Sequence, residues 1–514
     1  MEPPSILLLT NEEHGQSNVF MATCESLLQL EPDAHLHLAS FAGLADSVAA
    51  FNDRVRLSMP AARPVRFHHI RGVPSSQGLR QVVVDRAIVC HGDVLPKSFF
   101  APLSFTNSIR AIRDTMSIFV PYTAPQMAEI VSSVVELVNM VGADLVVVDS
   151  LMTPALTACH HLGISFVCLS PNSIKDFAVK EQPLRVRLKH PALFSGHRYP
   201  VPLYLAPLNI LYKIIAAVLY YRDGHRRKVA AHIATHTGAT LTTAVETYLG
   251  AGAKPMTLVG SMPELDYPGL VPPYIIPCGP IIRGAPPVRD ADPDLAAWLA
   301  RAPTLYVNLG SLYSIHEPQA LELARALKTV MGAVPRLQVL WKLKRMGRYG
   351  VSEPGDAIHD TLTEELKADR VRVVIDWLMA EPSSILESGH VICSMHHGGA
   401  NSFYEAVVTG VPQVVLPQWT DTYDYAERVE LLGIGRLGNE TTKPRWTAVE
   451  VAAALTDVLN SSTIKAKAST LAKLCQDRGS GAANAARAIL AECRVRKQSK
   501  VGEDEKRAAD MVTA

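Results

Sequence analysis

The chain has 514 residues, 48% of them hydrophobic and 19% charged, with 50 Lys and Arg against 49 Asp and Glu. That length and balance exclude a disordered chain or a small disulfide-stapled module, and they supply enough apolar surface for two cores. A net charge of +1 with dispersed basic residues offers no stripe for nucleic acid.

Short β-branched runs alternate with helical patterns from end to end, which predicts parallel sheets with crossover helices. Ile6 to Leu9 reads as a first buried strand. Its apolar run is too short, and its flank too poor in basic residues, for a signal peptide. A helix near Val19 to Leu30 follows, then strands at His35 to Ala39 and Val65 to Ile70, and helical periodicity at Ser108 to Met116 and Gln126 to Met140. Leu145 to Asp149 and Ser165 to Leu169 are further strands, with a helix at Pro154 to Leu162 between them. The interval from Ile174 to His232 is irregular, as expected of loops and helices that bind a substrate. Within it, Leu208 to Tyr221 is membrane-like but interrupted by Asn209 and Lys213. It reads first as a buried helix. The second reading is shallow contact with a membrane, for which His225 to Lys228 would be a basic flank.

Pro280 to Arg289 carries turn residues and marks a change of domain. Asp290-Ala291-Asp292 in this stretch superficially suggests a metal motif, but no buried strand precedes it, so an exposed linker is expected. Thr304 to Ser311, Gln338 to Trp341 and Arg372 to Trp377 begin a second strand set. Helices are predicted at Thr447 to Leu459, Ile464 to Gln476 and Ala482 to Ala491. The charged tail from Arg494 is expected to lack structure. The predicted division is 1–282, a linker 283–303, 304–493, and the tail 494–514. Gly433 to Gly438 spells G-x-G-x-x-G but follows a helix pattern, so it gives no support to a nicotinamide or flavin site. Eight cysteines are scattered without C-x-x-C or a His/Cys cluster, as in a reduced cytoplasmic protein.

Chemistry concentrates in Trp377 to Asp421. A strand pattern at His390 to Met395 leads into His397-Gly398-Gly399-Ala400-Asn401-Ser402 and a helix pattern carrying Glu405. Glycines between strand and helix let the backbone approach a ligand, and a helix N-terminus favours a diphosphate. His397 and Ser402 add donors, and Glu405, one turn in, can accept from ribose hydroxyls. A second strand, Gln413 to Pro417, delivers Asp421, a carboxylate suited to paired sugar hydroxyls.

This segment resembles the donor-binding signature of family 1 glycosyltransferases, the UDP-sugar-dependent enzymes. His397, Gly399, Asn401, Ser402, Glu405, Gly410, Pro412, Pro417 and Asp421 fall at the family spacing. Trp377 resembles the uracil-stacking tryptophan, although two extra residues separate it from Leu386 and no W-x-P-Q follows it. Thr422 stands where a sugar-contacting glutamine is common, and Ala400 replaces the tryptophan of plant members, so the motif is closer to animal and fungal forms. The resemblance implies a GT-B fold, two Rossmann-like domains facing each other. Ser311, in a Gly310-Ser311 turn, would contact phosphate from the side opposite His397.

In that family a histidine in G-H-x-x-P, oriented by an aspartate at a strand end, deprotonates the acceptor. Asp149 matches the aspartate. Gln16 stands at the histidine position in Gly15-Gln16-Ser17-Asn18-Val19, and His14 lies two residues earlier. Three readings stand: His14 acts as base with Asp149; Gln16 positions an acceptor whose proton goes to Asp149 or is already acidic; or UDP-sugar is bound without efficient transfer. The function expected is metal-independent, inverting transfer of a hexose, first of all glucose, from UDP-sugar to a hydroxyl of a small lipophilic acceptor. No cofactor beyond the UDP-sugar co-substrate is expected, and the protein is expected to be a monomer. A UDP-sugar-binding protein without transferase activity and a GT-B sugar-nucleotide epimerase are the alternatives.

Overall fold

The computed structural model describes residues 2–92, 95–351 and 353–513, with side chains as far as Gln498. Two parallel sheets organise the chain. The first contains Ser5–Leu9 (β1), His35–Ser40 (β2), Arg66–His69 (β3), Leu145–Asp149 (β4), Phe166–Ser170 (β5), Met256–Val259 (β6) and Ile275–Pro277 (β7), in the order β3-β2-β1-β4-β5-β6-β7. The second contains Thr304–Asn308 (β8), Gln338–Lys342 (β9), Val371–Val374 (β10), Val391–His396 (β11), Gln413–Val415 (β12) and Gly435–Leu437 (β13), in the order β10-β9-β8-β11-β12-β13. Strands such as β4, buried at all five positions, are continuous apolar runs because helices cover both sheet faces.

In each sheet the strand order reverses at one place, between β1 and β4 and between β8 and β11. Helices diverge there, which opens a crevice at the carboxyl ends of the strands. The loop after β1 and the end of β4 carry the Asn11–Asp149 pair. The ends of β8 and β11 carry Gly310 and His397.

Three parts of the domain reading are corrected. The final helix, Gly481–Thr513, does not close the second domain. Its Ala482, Ala485, Ala486, Ile489, Leu490 and Cys493 share a core with Val19, Phe20 and Leu27 of the helix His14–Leu30. Burial of Ile489 and Leu490 alone contributes about 3–6 kcal/mol. Arg494 to Gln498, expected to lack structure, continue this helix, where Lys497 pairs with Asp144 at 2.9 Å. Of the tail beyond, the backbone is helical to Thr513, and Ala514 lies outside the described residues. Residues 288–299 of the expected linker are two short helices whose Val288, Leu295 and Trp298 pack into the second domain. Asp292 there caps a helix, accepting from Leu295 N at 3.0 Å.

The membrane-like stretch departs most from expectation. Ala206–Arg222 is helical, but it buries only Asn209, Tyr212 and Tyr220. The buried-helix reading fails because one face alone meets the core.

The domains also bond directly. Arg428, almost wholly buried, pairs with Asp266 at 3.2 Å and lies 4.8 Å from the rings of Tyr267 and Tyr425. Lys175 pairs with Asp424, and Tyr199 N donates to Glu427 Oε2 at 3.0 Å. Phe100 and Tyr313 meet at 5.1 Å between ring centroids.

Candidate active site

On the second domain, β11 ends at His396, which is buried. Its Nε2 meets Gln413 Oε1 at 2.8 Å, and its Nδ1 accepts from Gly398 N at 3.0 Å. His396 therefore shapes the turn and leaves the ligand side to His397. Gly398 has φ +88°, and a Cβ there would lie 2.6 Å from the carbonyl oxygen of Thr422. His397 is wedged between two glycines: a Cβ on Gly310 would come within 2.5 Å of the imidazole, and one on Gly399 within 2.7 Å. Gly310 also has φ +83°, a conformation that disfavours side chains. The close approach places the Gly310-Ser311 turn beside His397, with Ser311 exposed. Burial, and then the neighbouring His396, push the His397 imidazole down to about 3, so it is neutral, and its buried Nδ1 has no hydrogen-bond partner.

The helix Ala400–Thr409 starts at Gly399 without a side-chain cap. Its first amides are therefore left for an anion. Asn401 and Ser402 lie half-buried in this first turn. Glu405 follows and lines a cavity of about 20 Å³ with Asn18, Arg283, Glu381 and Asn401. Burial, with Glu381 and Glu387 nearby, lifts the Glu405 carboxyl to about 8. Trp377 is 72% exposed; Lys342 Nζ lies 5.2 Å from its ring centroid, and the His14 ring stands edge-on at 6.2 Å. Trp377 thus offers aromatic surface facing the first domain. A larger groove of about 510 Å³, between Pro102-Leu103 and residues 440–447, contains none of the residues picked from sequence.

Asp421 follows Thr420, whose hydroxyl donates to Asp421 Oδ1 at 2.8 Å. Burial raises its carboxyl to about 6, helped by Asp176 and Asp424. Thr422, expected at the sugar, turns its side chain into its own loop. It is buried, and its hydroxyl accepts from the backbone amides of Gln418 and Trp419, both at 3.0 Å. A short β-hydroxyl closes its own turn where a long amide would reach outward. Sequence reasoning passed over Gln418, whose fully buried amide leaves both Oε1 and Nε2 without partners.

The His14–Asp149 relay expected from sequence is absent. Asp149 Oδ2 accepts from Asn11 Nδ2 at 3.0 Å and Asn11 N at 3.4 Å, and Oδ1 accepts from Leu151 N at 2.9 Å. The register Leu9↔Val148 explains this: it sets Asn11, just past β1, against the end of β4. His14, three residues later, starts the helix on its exposed side. Burial raises Asp149 to about 6. Near it, Asn11 Oδ1, Tyr122 Oη, Ser150 Oγ and Glu13 Oε2 are buried and unpartnered, and so is Gln16 Oε1 in the opening turn of the helix His14–Leu30. Glu13 is tethered by its other oxygen, which accepts from Ser75 Oγ at 2.6 Å and Ser76 N at 2.9 Å. The signal for Glu13 was visible as an acid in the first βα loop, but its partners come from residues about sixty positions away.

Residues 361–482 match the family described as erythromycin biosynthesis protein CIII-like, C-terminal domain. Glycosyltransferase sdnJ of Sordaria araneosa is 32% identical over 444 residues, which cover 85% of this chain and 84% of that protein. The chain belongs to the family 1 UDP-glycosyltransferases. UDP-glycosyltransferase stmC of Aspergillus ustus is 28% identical over 190 residues, 35% of each chain. The fold is GT-B, shared with a UDP-glucosyltransferase from Polygonum tinctorium at a TM-score of 0.61 and 16% identity, over 97% of this chain and 99% of that one. As a UDP-glycosyltransferase, the protein takes a UDP-sugar as donor.

Proposed function

We propose that this UDP-glycosyltransferase moves a hexose, glucose first among candidates, onto a hydroxyl of a small lipophilic acceptor with inversion and without a metal. We further propose that it works as a monomer in the cytoplasm. The observation that carries the donor half is His397, clamped between Gly310 and Gly399 at the uncapped start of the helix bearing Glu405. A diphosphate there would meet the helix amides, His397, Ser402 and Ser311. These donors stabilise the charge that develops as the anomeric C–O bond to phosphate breaks. Glu405 and Trp377 take the ribose and the uracil, and Asp421 the sugar hydroxyls. Solved relatives support a glucose donor and an aromatic acceptor: one is a Phytolacca americana enzyme complexed with UDP-2-fluoro-glucose and pterostilbene, and another is the Polygonum tinctorium enzyme, capable of glucosylating indoxyl.

The acceptor oxygen forms the new bond to the anomeric carbon as UDP departs from the opposite face, and its proton goes to the enzyme. We assign that proton to Glu13. One oxygen of this carboxylate is fixed by Ser75 and Ser76, and the other is free. Gln16 lies on the same turn, its amide bonded to Glu13 O at 2.9 Å, and its free Oε1 can orient the hydroxyl. Asp149 holds Asn11 in place behind them. Mass spectrometry of an acceptor library incubated with a panel of UDP-sugars tests the proposal. Hexose adducts on hydroxylated lipophiles are expected, and adducts only with polar acceptors or non-hexose donors would overturn it.

A further inference from the structure

The helix Ala206–Arg222 presents an apolar stripe that no described element covers. Leu211, Ile214, Val218 and Tyr221 recur every three or four residues; with Ile210 beside them and Leu203 just before the helix they are 38–90% exposed, and Tyr204 beside Leu203 is 81% exposed. The opposite face is fixed in the core: Tyr212 meets Phe105 at 5.7 Å, Asn209 Oδ1 accepts from Ala192 N at 2.7 Å, and Tyr220 bonds Thr243 at 2.8 Å. An exposed stripe of this size on a soluble protein marks an interaction surface.

Charge identifies the partner. Residues 184–237 contain nine Lys and Arg and one acid, in a chain whose net charge is only +1. The acid, Asp223, is 9% exposed and is neutralised by Arg86 at 2.7 Å. Arg185, Arg187, Lys189, Arg222, Arg227 and Lys228 are exposed and make no ion pair among the described residues. Lys213 Nζ donates to Arg187 O at 2.8 Å, and Arg227 donates to Arg222 O at 3.3 Å, so both basic groups flank the helix. Apolar side chains, Tyr204 and Tyr221 at the two ends, and unpaired cations together match an anionic lipid surface.

We propose that this face seats the protein on an anionic membrane, with the helix in the interfacial plane. By length and apolar composition the helical stretch Leu203–Thr237 could cross a membrane, but crossing would draw Asn209, Tyr212 and Tyr220 out of the core, whereas lying in the interface leaves them in place. Docking here brings the acceptor-side domain to the bilayer, where a lipophilic acceptor concentrates. The binding is separate from transfer, so failure of one leaves the other standing.

The test is co-sedimentation of the full chain with vesicles of phosphatidylcholine containing phosphatidylserine at roughly one part in four. Binding is expected with these vesicles, weaker with phosphatidylcholine alone, and reduced by salt. Ile214→Asp with Val218→Asp should abolish it. Arg227→Gln with Lys228→Gln, which leaves the apolar face intact, should weaken it by about ten- to thirtyfold. Neither pair should alter turnover of a water-soluble acceptor. Absence of binding to anionic vesicles, or binding indifferent to both pairs, overturns the proposal. So does a wild-type dimer in sedimentation velocity that Ile214→Asp with Val218→Asp dissolves, because the face would then be a self-association surface.

Discussion

Replacing Glu405 with glutamine should make the unliganded protein more stable while it loses its donor. The carboxyl titrates near 8 in the fold against 4.5 when unperturbed, because burial and the neighbouring Glu381 and Glu387 oppose its charge. A carboxyl raised in this way stabilises the fold fully below pH 4.5, and that contribution is lost as pH rises through about 8. At pH 7.5 the full shift would correspond to roughly 4 kcal/mol. Glu405 keeps some solvent contact, so roughly 1–3 kcal/mol is the expected cost. Glutamine retains the shape without the charge. Urea unfolding should therefore place Glu405→Gln above wild type by that amount at pH 7.5, with the two curves converging near pH 4.5. Calorimetry should show UDP affinity falling about three- to tenfold, the scale of one neutral hydrogen bond, because the buried carboxyl is mostly protonated at pH 7.5. Equal stability at pH 7.5 would refute the burial argument. Unchanged UDP affinity would refute the ribose contact.

Gly310→Ala should weaken UDP binding at least tenfold. Its Cβ would sit 2.5 Å from the His397 ring, and φ +83° adds about 1–2 kcal/mol of backbone strain; a folded variant that binds UDP normally would separate the Gly310 turn from the diphosphate. Asp421→Ala should spare UDP affinity but remove most turnover with UDP-sugar, and equal losses for both ligands would assign it to the nucleotide. Glu13→Gln should lower kcat for an ordinary alcohol about a hundredfold to ten-thousandfold with UDP binding intact. His14→Ala should have little effect on kcat, so the opposite pattern in rapid-mix kinetics would return the base to His14.

Local rules were enough for the order of most strands and helices and for the strand-turn-helix form around His397. Both depend on contacts within a few residues: buried runs such as Leu145–Asp149 must be strands, and glycines beside His397 permit a tight strand-to-helix turn. The short strands Met256–Val259 and Ile275–Pro277, the last two of the first sheet, were not visible in this way, because three or four residues carry too little periodicity to distinguish strand from loop. Which side chains meet was settled only by packing across the sequence. Register gives Asp149 to Asn11 instead of His14, and Ser75 and Ser76 hold Glu13 from a distant helix. Thr422 turns inward to bond its own loop, and the last helix returns to the first domain because its alanines fit against Val19 and Phe20. The apolar stripe from Leu203 to Tyr221 has the same composition whether it is buried or exposed. Its exposure follows from the opposite face, where Tyr212 and Tyr220, with Leu208, Ala216 and Leu219 beside them, pack into the core.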